Sequence, residues 1–147
     1  MSLEGIKNSD VKNLVKLNQV KHVDLSTVSM NDNHKNSFSE MTPILTDYLR
    51  LNGHNLRSLT ISLVNRAHLI HPIGDWCPNL TKLDVIMQFE RRDLYLNRNL
   101  IESLNKMKQL KILKLSSFFT QSQYNEIVNS HPKLIRFHCN LLEDEDN

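Results

Sequence analysis

Apolar residues recur along the chain in one arrangement: an apolar position, two others, a second apolar position, one other, a third apolar position. It occurs as Val20/Val23/Leu25, Leu56/Leu59/Ile61, Leu80/Leu83/Val85, Leu110/Leu113/Leu115 and Leu134/Phe137/Cys139. The patterns start at residues 20, 56, 80, 110 and 134, so successive starts lie 36, 24, 30 and 24 residues apart. One such pattern arises easily by chance, whereas five in order define an internal repeat. The closing half of each alternates apolar and polar, as a short strand with one buried face requires. Five short strands are therefore predicted.

The segments between them carry helical spacing. "SFSEMTPILTDYLRLNG" offers Ser37 or Ser39 as a cap, sets Ile44, Leu45, Tyr48 and Leu49 on one face, and stops at Gly53. "NRNLIESLNKM" groups Leu100, Ile101 and Leu104. "TQSQYNEIVNSHP" groups Tyr124, Ile127 and Val128, with Thr120 or Ser122 as cap and Pro132 beyond the end. Pro72 and Gly74 interrupt "HLIHPIGDWC", which predicts a single turn or a 3₁₀ segment. Residues 10–18 form an amphipathic opening helix that shields the first strand.

Strand–helix–strand units of this length favour parallel strands joined by right-handed connections. No unit buries its own apolar face, so neighbours must stack. The expected architecture is α/β, a solenoid with a short curved parallel sheet of about five strands on the concave side and helices on the convex side. It occupies one domain, 1–147: a capping helix 10–18, about five repeats over 19–142, and an acidic tail 143–147.

"CPNLTKLDV", Cys77 to Val85, and "HPKLIRFHC", His131 to Cys139, share the frame X-Pro-X-apolar, two residues, apolar, one residue, apolar. This frame resembles the leucine-rich repeats of the F-box and leucine-rich-repeat class, in which a Cys precedes Pro-x-Leu-x-x-Leu-x-Leu. From about Leu14 onward the resemblance implies a leucine-rich-repeat solenoid that recognises substrates for a ubiquitin-ligase adaptor. The chain departs from the family in two ways. Val28, Val64, Gln88, Phe118 and Leu142 stand where an Asn or Cys is usual, and no segment reads as an F-box.

Composition narrows the chemistry. With three Gly in the chain and no Gly-rich strand-to-helix turn, nothing offers to cradle a phosphate. There is no G-x-S-x-G, no C-x-x-C and no H-E-x-x-H, and the acidic clusters Glu90/Asp93 and Glu143 to Asp146 fall in solvated segments. His68 and His71 share a helical face only if the segment is helical, and Pro72 disfavours that at His71. Cys77 and Cys139 read as small buried residues rather than ligands or a disulfide pair. No enzyme activity, metal or cofactor is expected. No apolar run approaches the ~18 residues of a membrane span. Two distant Cys suit a reducing cytoplasmic or nuclear setting.

A net charge of +2 is too mild to imply nucleic acid. Arg91, Arg92 and Arg98 and the run Lys106, Lys108, Lys111, Lys114 keep an RNA-binding accessory module as an alternative, as is a scaffold subunit of a larger assembly. The leading expectation is a non-catalytic protein-interaction module, monomeric in isolation, that meets another protein on the concave sheet face. Strand alternation sends three rows of side chains there. The first is His22, Ser58, Lys82, Ile112, Arg136; the second Asp24, Thr60, Asp84, Lys114, His138; the third Ser26, Ser62, Ile86, Ser116, Asn140. The expected contact residues are His22, Asp24, Ser58, Thr60, Lys82, Asp84, Ile86, Ile112, Lys114, Arg136 and His138. Asp84 and Lys114 lie about 4.8 Å apart across adjacent strands, close enough to pair. "QFERRDLYLNR", residues 88–98, is the longest polar insertion and a second candidate contact.

Overall fold

A computed structural model describes residues 20–26, 37–63, 67–87 and 94–143, with side chains for 20–26, 45–63, 68–87 and 96–143. Five strands, β1 (His22–Leu25), β2 (Ser58–Ser62), β3 (Lys82–Ile86), β4 (Ile112–Phe119) and β5 (Arg136–Leu141), form one sheet in sequential order. Every neighbouring pair is parallel. The helices α1 (Ser37–Asn52), α2 (Ile70–Trp76), α3 (Leu94–Leu104) and α4 (Gln121–Ser130) fall one between each successive pair of strands. Each strand lies where the apolar pattern places it.

The core follows from the same alternation. Val23, Leu25, Leu59, Ile61, Leu83, Val85, Leu113 and Leu115 point to one face and are all at most 4 % exposed. They form one cluster with Leu45, Tyr48 and Leu49 of α1, Ile70 and Ile73 of α2, Leu100, Ile101 and Leu104 of α3, and Ile127 of α4. Burying a side chain of this size contributes about 2 kcal/mol, so this inner face supplies the main driving force. The other face of the sheet carries no helix among the described residues.

The turn before each strand repeats in atomic detail. The Lys21 carbonyl accepts from the backbone N–H groups of Arg57 (2.8 Å) and Ser58 (3.0 Å). The Arg57 carbonyl does the same for Thr81 and Lys82, that of Thr81 for Lys111 and Ile112, and that of Lys111 for Ile135 and Arg136, at 2.8 and 3.1 Å each time. One carbonyl thus fixes the start of the next strand at four successive junctions. Because β2 to β5 each start from the same anchor, side chains at equivalent positions fall into register.

Local sequence explains the helix ends. Thr120 and Gln123 form a capping box: the Thr120 hydroxyl accepts from the Gln123 N–H at 3.1 Å, and Gln123 Oε1 accepts from the Thr120 N–H at 3.0 Å. Gly53 follows α1 directly in a 3₁₀ turn, Gly53–Asn55. A Cβ on Gly53 would lie 2.5 Å from the Trp76 carbonyl oxygen, so this glycine permits α1 and the end of α2 to meet.

Several expectations need correction. "HLIHPIGDW" is not a lone turn but a 3₁₀ turn, Ala67–Leu69, continued by helix α2. Pro72 is tolerated because it is the third residue of α2, where a backbone N–H has no helical partner to lose. His71 is therefore helical. Gly74 is there for packing: an added Cβ would meet the Ser103 carbonyl oxygen at 2.5 Å and its Oγ at 2.7 Å, where α2 crosses α3. Residues 94–98 belong to α3 rather than to a polar loop, because Leu96 continues the Leu100–Leu104 stripe and packs against the core. β4 runs on to Phe119, so Phe118 and Phe119 lie within the strand, with Phe119 fully buried. Val128 is 39 % exposed and does not join Ile127 in the core. The opening helix 10–18, residues 88–93 and tail residues 144–147 lie outside the described residues.

Candidate recognition face

The uncovered face is built by the strand positions that the core does not use. Cα register aligns His22, Ser58, Lys82, Ile112 and Arg136 across all five strands, and Asp24, Thr60, Asp84, Lys114 and His138 beside them. His22, Lys82, Lys114, Arg136 and His138 are exposed; Asp24, Ser58, Thr60, Asp84, Ile86 and Ile112 are half-buried. All eleven expected contact residues thus stand on one face.

The third row breaks. Between Lys114 and Phe118 the pairing of β4 with β5 shifts, so Asn140 opposes Phe118 instead of Ser116. Ser116 turns to β3, donating its hydroxyl to the Met87 carbonyl (2.9 Å) and accepting from the Met87 N–H (2.7 Å). The Ser116 carbonyl accepts from Asn140 Nδ2 at 3.1 Å. Ser62, expected on the surface, is buried, and its hydroxyl has no hydrogen-bond partner among the described residues. Nothing in the alternation alone signals either result.

Charges on this face are uneven. Asp24 is occupied internally, accepting from the Ser26 N–H (2.9 Å) and Ser26 Oγ (2.6 Å). Asp84 faces Lys114 across the register but forms no ion pair with it among the described residues. Its partial burial raises the carboxyl above the ordinary aspartate range, and the fields of Lys114 and Lys82 only partly offset this. Lys82, Lys114, Arg136 and His138 make no hydrogen bond or ion pair among the described residues.

Cations elsewhere are mostly satisfied. Lys106 pairs with Asp75 at 2.6 Å, Arg98 with Glu126 and Arg50 with Asp47. Lys108 Nζ donates to the Ser130 carbonyl. The Lys106-to-Lys114 run is thereby divided between the helix side and the sheet face, and Arg98 is engaged. Arg91 and Arg92 lie outside the described residues.

Histidines and cysteines are dispersed. His68 and His71 are exposed, Cys77 is buried and Cys139 half-buried, and both cysteines are free thiols. No group of three or more His, Cys, Asp or Glu is close enough to hold a metal among the described residues. No helix among them is long and apolar enough to cross a membrane.

His131, which stands in the place of Cys77 in its repeat, is 1 % exposed. Its Nδ1 lies 2.7 Å from the Ile127 carbonyl oxygen and its Nε2 2.7 Å from that of Leu104. It caps two helix ends from within the core. The signal was present, since His131-Pro132 aligns with Cys77-Pro78, and Cys77 is fully buried.

No family model matches the chain, and no curated protein matches it.

Proposed function

We propose that this chain is a leucine-rich-repeat solenoid acting as a non-catalytic protein-recognition module. The repeated junction, in which one carbonyl anchors the next strand, supports the repeat reading. The observation that carries the functional reading is the uncovered face: two rows of mostly polar side chains in register, four of them without a hydrogen bond or ion pair among the described residues. A rigid sheet presents such groups preformed, so little ordering entropy is lost on binding. In the adaptor version of this reading the module selects substrates for a ubiquitin ligase.

The test compares the wild-type chain with the triple variant Lys82→Ala/Asp84→Ala/Lys114→Ala in crosslinked pull-downs from source cells. A partner held by wild type and lost by a folded triple variant supports recognition through this face. Unchanged capture moves the site elsewhere. Cullin-ligase subunits among the face-dependent proteins would favour the adaptor version.

A scaffold role is the second reading, favoured by the apolar C-terminal side of the sheet. There Ile135 is 75 % exposed and Leu141 44 %. Stoichiometric copurification that survives the triple variant and fails in Ile135→Asp would support it.

A further inference from the structure

We propose that the uncovered face binds an acidic peptide segment, with carboxylates gripped by Lys82, Lys114, Arg136 and His138 around an apolar side chain seated on Ile112. This rests on the protein-recognition reading above and names the chemistry of the partner.

The arrangement follows from the register. Ile112 lies between Lys82 and Arg136 in one row, and Lys114 lies between Asp84 and His138 in the next. Strands are about 4.8 Å apart and same-face residues about 6.6 Å apart along a strand. Lys82, Lys114, Arg136 and His138 therefore surround Ile112 within about 8 Å, backbone to backbone. Ile112 is half-buried and the four around it are exposed. An apolar point rimmed by polar groups has the layout of a protein-binding centre with its rim.

Charge complementarity chooses the occupant. Three fixed cations and a histidine face solvent with no hydrogen bond or ion pair among the described residues. Lys21 and Lys111, each one residue before a strand, are in the same state, whereas Lys106, Arg98 and Arg50 hold acidic partners. Asp84 is the acid nearest this group, and it is half-buried without closing on Lys114. Asp24 is turned to Ser26. The exposed charge at β3 to β5 is thus positive, and an incoming carboxylate meets cations with no internal partner to displace among the described residues.

A nucleic acid fits less well. Base stacking needs exposed aromatic platforms, and the exposed rings in the two rows are two imidazoles, His22 on β1 and His138 on β5, at opposite ends of the sheet. Phosphate tracking needs a long basic path, whereas here the cations ring an isoleucine.

The experiment is fluorescence anisotropy on the full chain. The probe is a fluorescein-labelled peptide of alternating Glu and Asp with one central Leu. Controls are the same peptide with Lys for every acid, and a ten-nucleotide oligouridine. The acidic peptide is expected to bind at least about tenfold tighter than either control, and raising the salt should weaken it. Lys114→Glu/Arg136→Glu should lower its affinity at least about tenfold; the charge-matched Lys106→Glu/Lys108→Glu, away from the face, should change it less than about threefold. Circular dichroism melts establish that both variants fold.

Equal loss in the two variants, or no preference over the basic peptide, overturns the proposal. Tighter binding of oligouridine gives the face to RNA instead. Strengthening by about tenfold when Glu143, Asp144, Glu145 and Asp146 are all neutralised gives it to the chain's own tail. A cellular partner that still depends on Lys82, Asp84 and Lys114 while the acidic peptide fails to bind leaves the recognition reading standing and removes this one.

Discussion

His131 Nε2 lies 2.7 Å from the carbonyl oxygen of Leu104, the last residue of α3, and joins the end of that helix to the end of α4. Its other nitrogen faces the Ile127 carbonyl at the same distance. A neutral imidazole has one N–H and can donate to only one of these; a protonated ring donates to both. His131→Ala removes the side-chain bridge between the Ile127 and Leu104 carbonyls and opens a cavity, at an expected cost of about 2–4 kcal/mol. His131→Phe keeps a ring and loses only the bonding, so a cost of about 1–3 kcal/mol is expected. Urea unfolding of both variants separates the two contributions.

Gly74 and Ser103 set the crossing of α2 and α3. The Gly74 N–H donates to Ser103 Oγ at 2.9 Å, and an added Cβ would lie 2.5 Å from the Ser103 carbonyl oxygen. Gly74→Ala should destabilise by about 1–3 kcal/mol through overpacking. Adding Ser103→Ala removes the hydroxyl but not the carbonyl, so the double variant should recover little. Urea midpoints with an unchanged slope check this.

Asp84 is held above the usual carboxylate range by burial, with Lys114 and Lys82 opposing. Its folded-state pKa is therefore above the unfolded one. The stability it contributes is present below the ordinary aspartate range and is lost as pH rises through the folded value. Asp84→Asn should raise Tm at pH 7 by about 1–3 °C, with the advantage fading towards pH 3. Thermal melts across that range test it, and a variant less stable than wild type at pH 7 contradicts the account. An acid kept where it costs stability suits a functional face.

Burial pushes the Cys77 thiol up to about 12 and the Cys139 thiol up to about 11. Only the thiolate reacts with alkylating reagents. At pH 8 Cys139 should label at least about a hundredfold more slowly than a free cysteine. Cys77 should label only when the protein unfolds. Mass spectrometry of iodoacetamide time courses, with and without urea, gives both rates.

The strands and the two intact rows were legible because inward residues such as Leu83 and Val85 must be apolar, and each strand starts from one repeated turn. Leu83→Asp puts a charge where exposure is 1 % and should abolish cooperative unfolding. Other features depend on distant atoms. The need for glycine at 74 lies in Ser103, twenty-nine residues on, and the shift after Lys114 lies in how β5 pairs. The partners of buried His131 were not legible, because the two carbonyls beside its ring come from different helices. Pro72 misled because a proline read as an interruption fits the first turn of a helix.

β5 has a strand neighbour on one side only, among the described residues, and Leu141, its last residue, is exposed. Open ladders of this kind recruit other chains, and side-chain charge is what keeps them apart. Arg136, exposed on β5, is such a charge. Replacing it with an uncharged residue invites clumping in concentrated samples, whereas reversing its sign does not.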